Sequence, residues 1–512
     1  MVNQFEMSEN HMQIPTAMML SALVIVILII VVRGAKKTSN VSDYAIGSFQ
    51  FSPIAVGLAL AASMTSAATF IINPGLIALY GYAGIVSYAI VLPLAAFISL
   101  VFLTRRFRDH GTRVKALTMA QWMGNRYKNK NLSLFFALLS VFLISFIVLI
   151  VVGLAQLLAK PLGVDPVMVM VFLVIFVFGY MMFGGANAMV YTNTVQALLM
   201  LLVAIILLWS GHEFFTSGPQ GLTAHLNAID PRLTQPTNPE SLLFRDYFEI
   251  IFCQIIIGVA VVCQPHILTK SLILTKSSDI SRYLTTGIIV MTVFFAVVIV
   301  GLYARISFPD FKVDGLPIKP DQIIAYYITD QFSTALVLIV TMGLIAAGIS
   351  TLEGLIQSLS VTFTQDFLLD HVSHFKNWNE KKKIGLNRVI IAILALVSIF
   401  FSYRQIVAPD LSVAIFAQNG VYAFFGAAFF PLISGMFSKH NSYRLIFLTA
   451  CLSLIIHFST YYGHIGKYMQ NEINNPAISA TYAITISTLV GLVGLLVIHF
   501  QNKGISPKAL KT

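Results

Sequence analysis

The stretch Gly343-Leu344-Ile345-Ala346-Ala347-Gly348-Ile349-Ser350-Thr351-Leu352-Glu353-Gly354 places one carboxylate and two hydroxyls in an otherwise apolar run. Ser350 and Glu353 are three apart, so on a helix they share a face, with Ala347 and Thr351 beside them. A hydroxyl, a backbone carbonyl and a carboxylate together form an all-oxygen ligand set, which suits a hard cation. Glu353 is the one carboxylate expected deep in the bilayer. A charge there costs roughly 2.5–3.5 kcal/mol on insertion scales, so a retained one defaults to function. The plainer alternative is a neutral Glu hydrogen-bonded to a neighbouring helix.

Two other runs carry polarity where it is expensive. In Ala61–Gly75, the hydroxyls Ser63, Thr65, Ser66 and Thr69 fall within seven residues. Asn73-Pro74-Gly75 follows and is expected to break the helix in its later part. Backbone groups in hydrocarbon must be satisfied, so a break marks a protein-lined cavity. Small residues can also serve helix packing. The second run is Cys263-Gln264-Pro265-His266-Ile267-Leu268. Its proline frees a carbonyl. His266 lies near the inner end of its span and reads as a cap rather than a proton relay. Gln156, Asn193, Gln196, Gln254, Gln357, Gln418 and Asn419 are further intramembrane polar residues, each by itself packing glue. No Lys or Arg is expected near mid-membrane, which disfavours a multiply charged anion as substrate.

The elements that must position these residues follow from composition. Of 512 residues, 57% are hydrophobic and 10% are charged, against about 25% charged in a soluble domain. That excludes a disordered chain, a disulfide scaffold and an ordinary cytosolic enzyme. Thirteen apolar stretches reach membrane length. Numbered in chain order they are 14–32, 52–79, 84–104, 133–158, 165–183, 188–211, 247–268, 284–307, 334–360, 388–403, 411–437, 443–462 and 477–499. The fifth and sixth are divided at Gly184-Gly185-Ala186-Asn187. Glu6 and Glu9 precede span 1, and Arg33, Lys36 and Lys37 follow it, so it reads as an uncleaved anchor with its N-terminus outside. On that map 24 of the 32 Lys and Arg face the cytoplasm, as the positive-inside rule requires. The C-terminus is then cytoplasmic. The net charge of +11 faces anionic inner-leaflet lipid and gives no nucleic-acid signal. Cys253, Cys263 and Cys451 all fall within spans and read as small apolar residues. No loop is long enough for a soluble domain. No GxxxxGK[ST] loop appears, so ATP has no engine here.

Three segments resemble the sodium:solute symporter family, which includes sodium/proline and sodium/pantothenate carriers. Asp43-Tyr44 with Ile46-Gly47 is similar to the family's D-Y-x-x-G-x-R pattern, with Phe49 in place of Arg. Gly184-Gly185-Ala186-Asn187-Ala188 through Thr192-Asn193 to Gln196 resembles G-G-x-x-A-x-x-x-T-D-x-x-Q. Gln264-Pro265-His266-Ile267 resembles Q-P-H-I of the proline branch. The resemblance implies an all-α, leucine-transporter-like fold in a single transporter domain spanning 1–512. Span 1 would precede repeat one at about 52–211. An inverted repeat two would occupy about 247–437, with two extra spans at about 443–499. The first helix of each repeat would be broken, at the prolines 74 and 265. It also implies a sodium ion between spans 2 and 9, held by the carbonyls of Ala62, Thr65 and Ala347 and the hydroxyls of Ser350 and Thr351. The signature's Asp is Asn193 here, and Glu353 stands where relatives carry a hydroxyl for a second sodium. The expectation is that the carboxylate has moved between helices and a second cation site, for sodium or a proton, survives at Asn193 and Glu353. Rival readings give Glu353 to the substrate or leave the second site dead.

The implied function is sodium-coupled import of a small organic solute by alternating access. The solute would be a monocarboxylate, an amino acid or similar. It would lie beside the break in span 2, near Ser66, Thr69, Asn73, Gln156, Gln254 and Gln418. Ala68 replaces a tryptophan of the proline branch, which weakens a proline assignment. No cofactor is expected beyond sodium as coupling ion, and no enzyme activity. Alternatives are a proton-coupled or uncoupled transporter using Glu353, a transporter-like sensor, and a channel. A bacterial plasma membrane is the expected location, and no obligate protein partner is evident.

Overall fold

The computed structural model describes residues 2–216, 218–313, 315–318, 322–408, 413–439, 442–471 and 473–502, without the side chains of 2–13, 160, 219 and 502. The lysines expected on the inner face at 503–511, and the expected start of span 11 at 411, lie outside the described residues. The described chain is helical apart from a small antiparallel ribbon pairing Lys312–Val313 with Leu316–Pro317.

Among the described residues ten helices are long and apolar enough to cross a membrane, and two bent pairs raise this to twelve. Thr334–Leu369 (span 9) and Val413–Phe437 (span 11) have 72% of their most apolar window buried, against 22% for Ile14–Ala35 and Pro476–Gln501. Span 9 therefore runs through the middle of the bundle. The first and last spans lie at its lipid-facing edge, where Leu489, Val493 and Leu496 are exposed.

Pro166–Trp209 is one helix of 44 residues by hydrogen bonding. Straight, it would be about 66 Å long at 1.5 Å per residue, twice the hydrocarbon thickness of about 30 Å. It breaks at Gly185, whose φ is +55° and ψ −159°. That divides the run into 166–184 and 186–209, each of membrane length, and the count of thirteen rests on this division. Two of the segments noted above meet at the break. The short helix Val41–Ile46 packs against it, with the Tyr44 hydroxyl donating to Met181 O at 2.8 Å. Asn187 Oδ1 accepts from the Ser48 amide at 2.8 Å. A Cβ on Gly185 would meet the Tyr44 backbone at 2.9 Å. Gly185→Ala is therefore expected to cost about 1–3 kcal/mol, read as a lower thermal midpoint of the purified protein, while Gly153→Ala, where a Cβ meets nothing within 4 Å, leaves it unchanged.

The bends in spans 2 and 7 are 57° and 59°. In span 7 the bend is where the proline predicts it. Gln264 is extended (φ −87°, ψ 139°) and Pro265 opens the next helix, where a missing N–H costs nothing. In span 2 it is not. Helix Pro53–Met64 stops at Thr65 (φ −111°, ψ 117°), and a π turn restarts at Ala68. The bend thus falls at 65–67 and not at Asn73-Pro74-Gly75. Pro74 sits in the first turn of Asn73–Tyr80, after that π turn, so its ring is accommodated and breaks nothing. The Ser66 hydroxyl caps the new helix by accepting from the Ala68 amide at 3.2 Å.

A candidate cation site between spans 2 and 9

The bend in span 2 leaves carbonyls at its upstream end without helical partners. Span 9 passes directly beside them. Ser350 Oγ lies 2.9 Å from Ala62 O and 3.0 Å from Ala347 O. Thr351 Oγ1 lies 3.5 Å from Thr65 O and 3.2 Å from Ala347 O. All five residues are fully buried. The structure thus brings together all five residues expected to hold the first sodium. Three carbonyls and two hydroxyls converge across two helices, with Ser350 within ordinary hydrogen-bond distance of its carbonyls and Thr351 at longer range. Each hydroxyl keeps its lone pairs for a cation while donating to a carbonyl. The set is uncharged and all oxygen, which fits an alkali ion and gives no soft ligand for a transition metal.

Glu353 is buried one turn further along. It accepts from the Tyr180 hydroxyl on Oε1 at 2.5 Å and from the Thr192 hydroxyl on Oε2 at 2.6 Å. Asn193 does not bond to it. Asn193 Nδ2 donates to Ser63 Oγ at 3.1 Å, and Ser63 Oγ donates to Ser350 O at 3.3 Å. Asn193 Oδ1 and both amide atoms of Gln196 are buried without a partner. Glu353 and Asn193 therefore occupy one interface between 186–209 and span 9 without bonding to each other, and Asn193 alone is linked to the first site, through Ser63. Tyr180 was not singled out from the sequence, and Ser63 was named only as one of the hydroxyls crowding span 2. Thr192 was visible only as the Thr of the signature. Tyr180 has no local signal, because it meets Glu353 from 173 positions away.

The six residues named for substrate scatter more widely. Ser66 and Thr69 are buried at the bend, and Asn73 is half-buried in the following turn. Gln254 is buried with Oε1 unpartnered. Gln418 is half-buried and faces the Tyr88 hydroxyl. Gln156 is exposed, and no contact joins it to the others. Spans 2, 3 and 7 each carry a π turn here, at Ala68–Ile72, Val86–Val91 and Phe248–Cys253. Such turns widen a helix and often mark functional sites. Tyr88 on the second of them is a further polar group that sequence reasoning passed over.

Three expectations about charge need correction. Glu353 is not the one buried carboxylate. Asp366, placed by sequence in the inner loop, is fully buried at the end of span 9 and accepts from Thr118 Oγ1 at 2.6 Å and Ser133 Oγ at 2.8 Å. Glu249 is fully buried and pairs with Arg245 at 2.5 Å. Both are satisfied by groups the fold brings from elsewhere, which hydropathy along the chain does not register. Lys270, also assigned to the inner loop, is 2% exposed. His266 caps nothing, since neither ring nitrogen has a partner.

Similarity to known proteins agrees with this geometry. Residues 44–443 match the pattern of the sodium:solute symporter family. The sodium/pantothenate symporter of Haemophilus influenzae is 26% identical, over 83% of this chain and 84% of that one. The sodium/proline symporter of the same organism is 25% identical, over 77% and 78%. A substrate-bound, outward-open Na+-coupled sialic acid symporter superposes with a TM-score of 0.78 at 16% identity, covering 94% of this chain and 97% of that one. At that identity the likeness shows the fold, which is leucine-transporter-like. With the family pattern matched across most of its length, this integral membrane protein belongs to the sodium:solute symporter family.

Proposed function

We propose that this symporter imports one small carboxylate-bearing solute, a monocarboxylate or an amino acid, on sodium bound between spans 2 and 9. The observation that carries the reading is the convergence of Ala62, Thr65, Ala347, Ser350 and Thr351 at the bend of span 2. An ion there ties the bent helix to span 9. Its loss frees the two to move apart, which is what alternating access needs. Pantothenate, proline and sialic acid, named for the similar proteins, each carry one carboxylate. In this chain the solute would sit against Ser66, Thr69, Tyr88, Gln254 and Gln418, beside the three π turns. Gln156 is the weakest member of the earlier set. The repeats at about 52–211 and 247–437 and the N-out, C-in orientation are part of the same proposal. Two first helices bent by nearly equal angles support it.

A second cation at Glu353 is favoured by the unpartnered oxygens of Asn193 and Gln196 beside it. It would be sodium or a proton. One charge moving through 100 mV yields about 2.3 kcal/mol, so a second coupled ion adds that much per cycle. For a monocarboxylate anion it makes an otherwise electroneutral symport of one sodium with one solute electrogenic.

The test is uptake into proteoliposomes. Purified protein is first screened against monocarboxylates and amino acids for a rise in thermal midpoint in sodium but not in choline. The stabilising compound is then supplied in labelled form. Saturable uptake that requires inward sodium and is accelerated by an inside-negative potential is expected. Uptake equally fast in choline would overturn the sodium reading.

A further inference from the structure

We propose that Lys270 and His266 form a binding site for one small monovalent anion, between the cation site and the inner end of span 9. Lys270 lies on the turn Thr269–Ile273 that ends span 7, and His266 is four residues earlier on the same bent segment. They are 2% and 3% exposed. Lys270 Nζ and both ring nitrogens of His266 lack any hydrogen-bond partner. Together they line a cavity of about 20 Å³ with Gly354, Gln357 and Thr118. That is room for one water, one monatomic ion or one inserted carboxylate oxygen.

Several of the other polar groups at this cavity are already committed, while the Ser358 hydroxyl also lines it. Gln357 Nε2 donates to the carbonyls of Tyr44 and Ala45 at 3.1 and 2.6 Å. Thr118 donates to Asp366. Thr269 donates to Pro265 O at 2.6 Å. The two buried acids of span 9 do not claim the ammonium either. Glu353 is held by Tyr180 and Thr192, and Asp366 by Thr118 and Ser133. Among the described residues the ion pairs are made by Arg232, Arg245 and Lys383, and none by Lys270.

Glu353 acts on Lys270 only through space and makes no ion pair with it. A buried ammonium without a contacting counter-charge is strongly disfavoured, because desolvation is not repaid. An anion in the cavity removes that penalty. Donors dominate among the unpartnered groups: three from Nζ and at least one from the imidazole. It has the wrong polarity for a second cation. Gly354 and Gln357 follow Ser350 by four and seven residues on one helix, so the cavity lies about 6–10 Å beyond the cation ligands. On the proposed orientation this is the exit side. A carboxylate leaving the midplane site would meet Lys270 next. Chloride meets the same chemistry.

The inference rests on the proposed function only for that direction of travel. Its test is anion binding at fixed sodium, so it fails or stands separately from sodium-coupled uptake. The full chain is purified in the sodium salt of morpholinoethanesulfonate, whose bulky anion does not fit the cavity. Chloride, formate and acetate are titrated at constant sodium and ionic strength. A saturable rise of several degrees in thermal midpoint is expected for wild type and for Lys276→Gln, an exposed lysine nearby, and its loss in Lys270→Gln. Response to chloride alone assigns the site to an inorganic ion. Response to formate and acetate, in competition with chloride, assigns it to a solute carboxylate. A flat wild-type titration, or an equal rise in Lys270→Gln, overturns the proposal. Should Lys270→Gln not fold, bromide soaked into wild-type crystals gives a reading without any variant. An anomalous peak within hydrogen-bond reach of Nζ supports the site, and a cavity without one overturns it.

Discussion

Ser350→Ala is expected to raise the sodium concentration for half-maximal uptake by about tenfold to a hundredfold. The hydroxyl lies between Ala62 O and Ala347 O, at 2.9 and 3.0 Å, where no water-filled space competes. Hydrogen bonds and ligations to a charged group are worth about 1.5–3 kcal/mol, and 1.4 kcal/mol is tenfold in affinity. Removing Oγ takes away one oxygen of five and the one O–H that Ala62 O and Ala347 O share. Thr351→Val should act similarly through Thr65 O and Ala347 O, while Thr351→Ser keeps the oxygen and stays near wild type. The measurements are sodium titrations of uptake and of thermal midpoint. Because thermal midpoint reports sodium binding without transport, a fold defect and a lost ligand separate cleanly. Unchanged sodium dependence in Ser350→Ala would remove the ion from this position.

The second large effect is expected at Glu353. In Glu353→Gln the number of charges moved per solute should fall by one, read from the reversal potential of uptake current in liposomes. The reason is geometric as well as electrostatic. Tyr180 and Thr192 each donate to one carboxylate oxygen. A glutamine offers one acceptor and one NH2, so one of those hydroxyls must turn away. Asn193 and Gln196 then face a neutral group and lose the charge that would hold a cation beside them. If the second ion is a proton, uptake should also lose its dependence on external pH. Restoring a carboxylate on the other helix, as Asn193→Asp with Glu353→Ser, should recover the original stoichiometry, since Asn193 reaches the same interface through Ser63. Coupling ratio and pH dependence both untouched in Glu353→Gln would mean that Glu353 serves packing alone.

Some of this protein is written along its chain, because the physics that sets it is local. Runs of apolar residues near membrane length announce helices, since hydrocarbon tolerates no unsatisfied backbone. Gly184-Gly185 announces a division, because a residue at φ +55° and ψ −159° is glycine's preserve. Pro265 announces the bend in span 7. Ala347, Ser350 and Thr351 place oxygens together along one side of a helix, because helical spacing fixes which residues adjoin. These expectations needed no knowledge of neighbours.

What only the tertiary structure decided involves contacts between helices far apart in sequence. The bend of span 2 falls at Thr65-Ser66-Ala67 and not at Pro74, because a π turn and the Ser66 cap settle the backbone there first. Glu353 is satisfied by Tyr180 and Thr192, 173 and 161 positions away. Asp366 is drawn inside by Thr118 and Ser133, 248 and 233 positions away. Lys270 reads as a loop lysine by hydropathy, yet packing against span 9 closes over it. Sequence alone determines where polarity stands in the membrane. Packing determines whether each such group is paired, and in this protein the groups left unpaired mark where ions would bind.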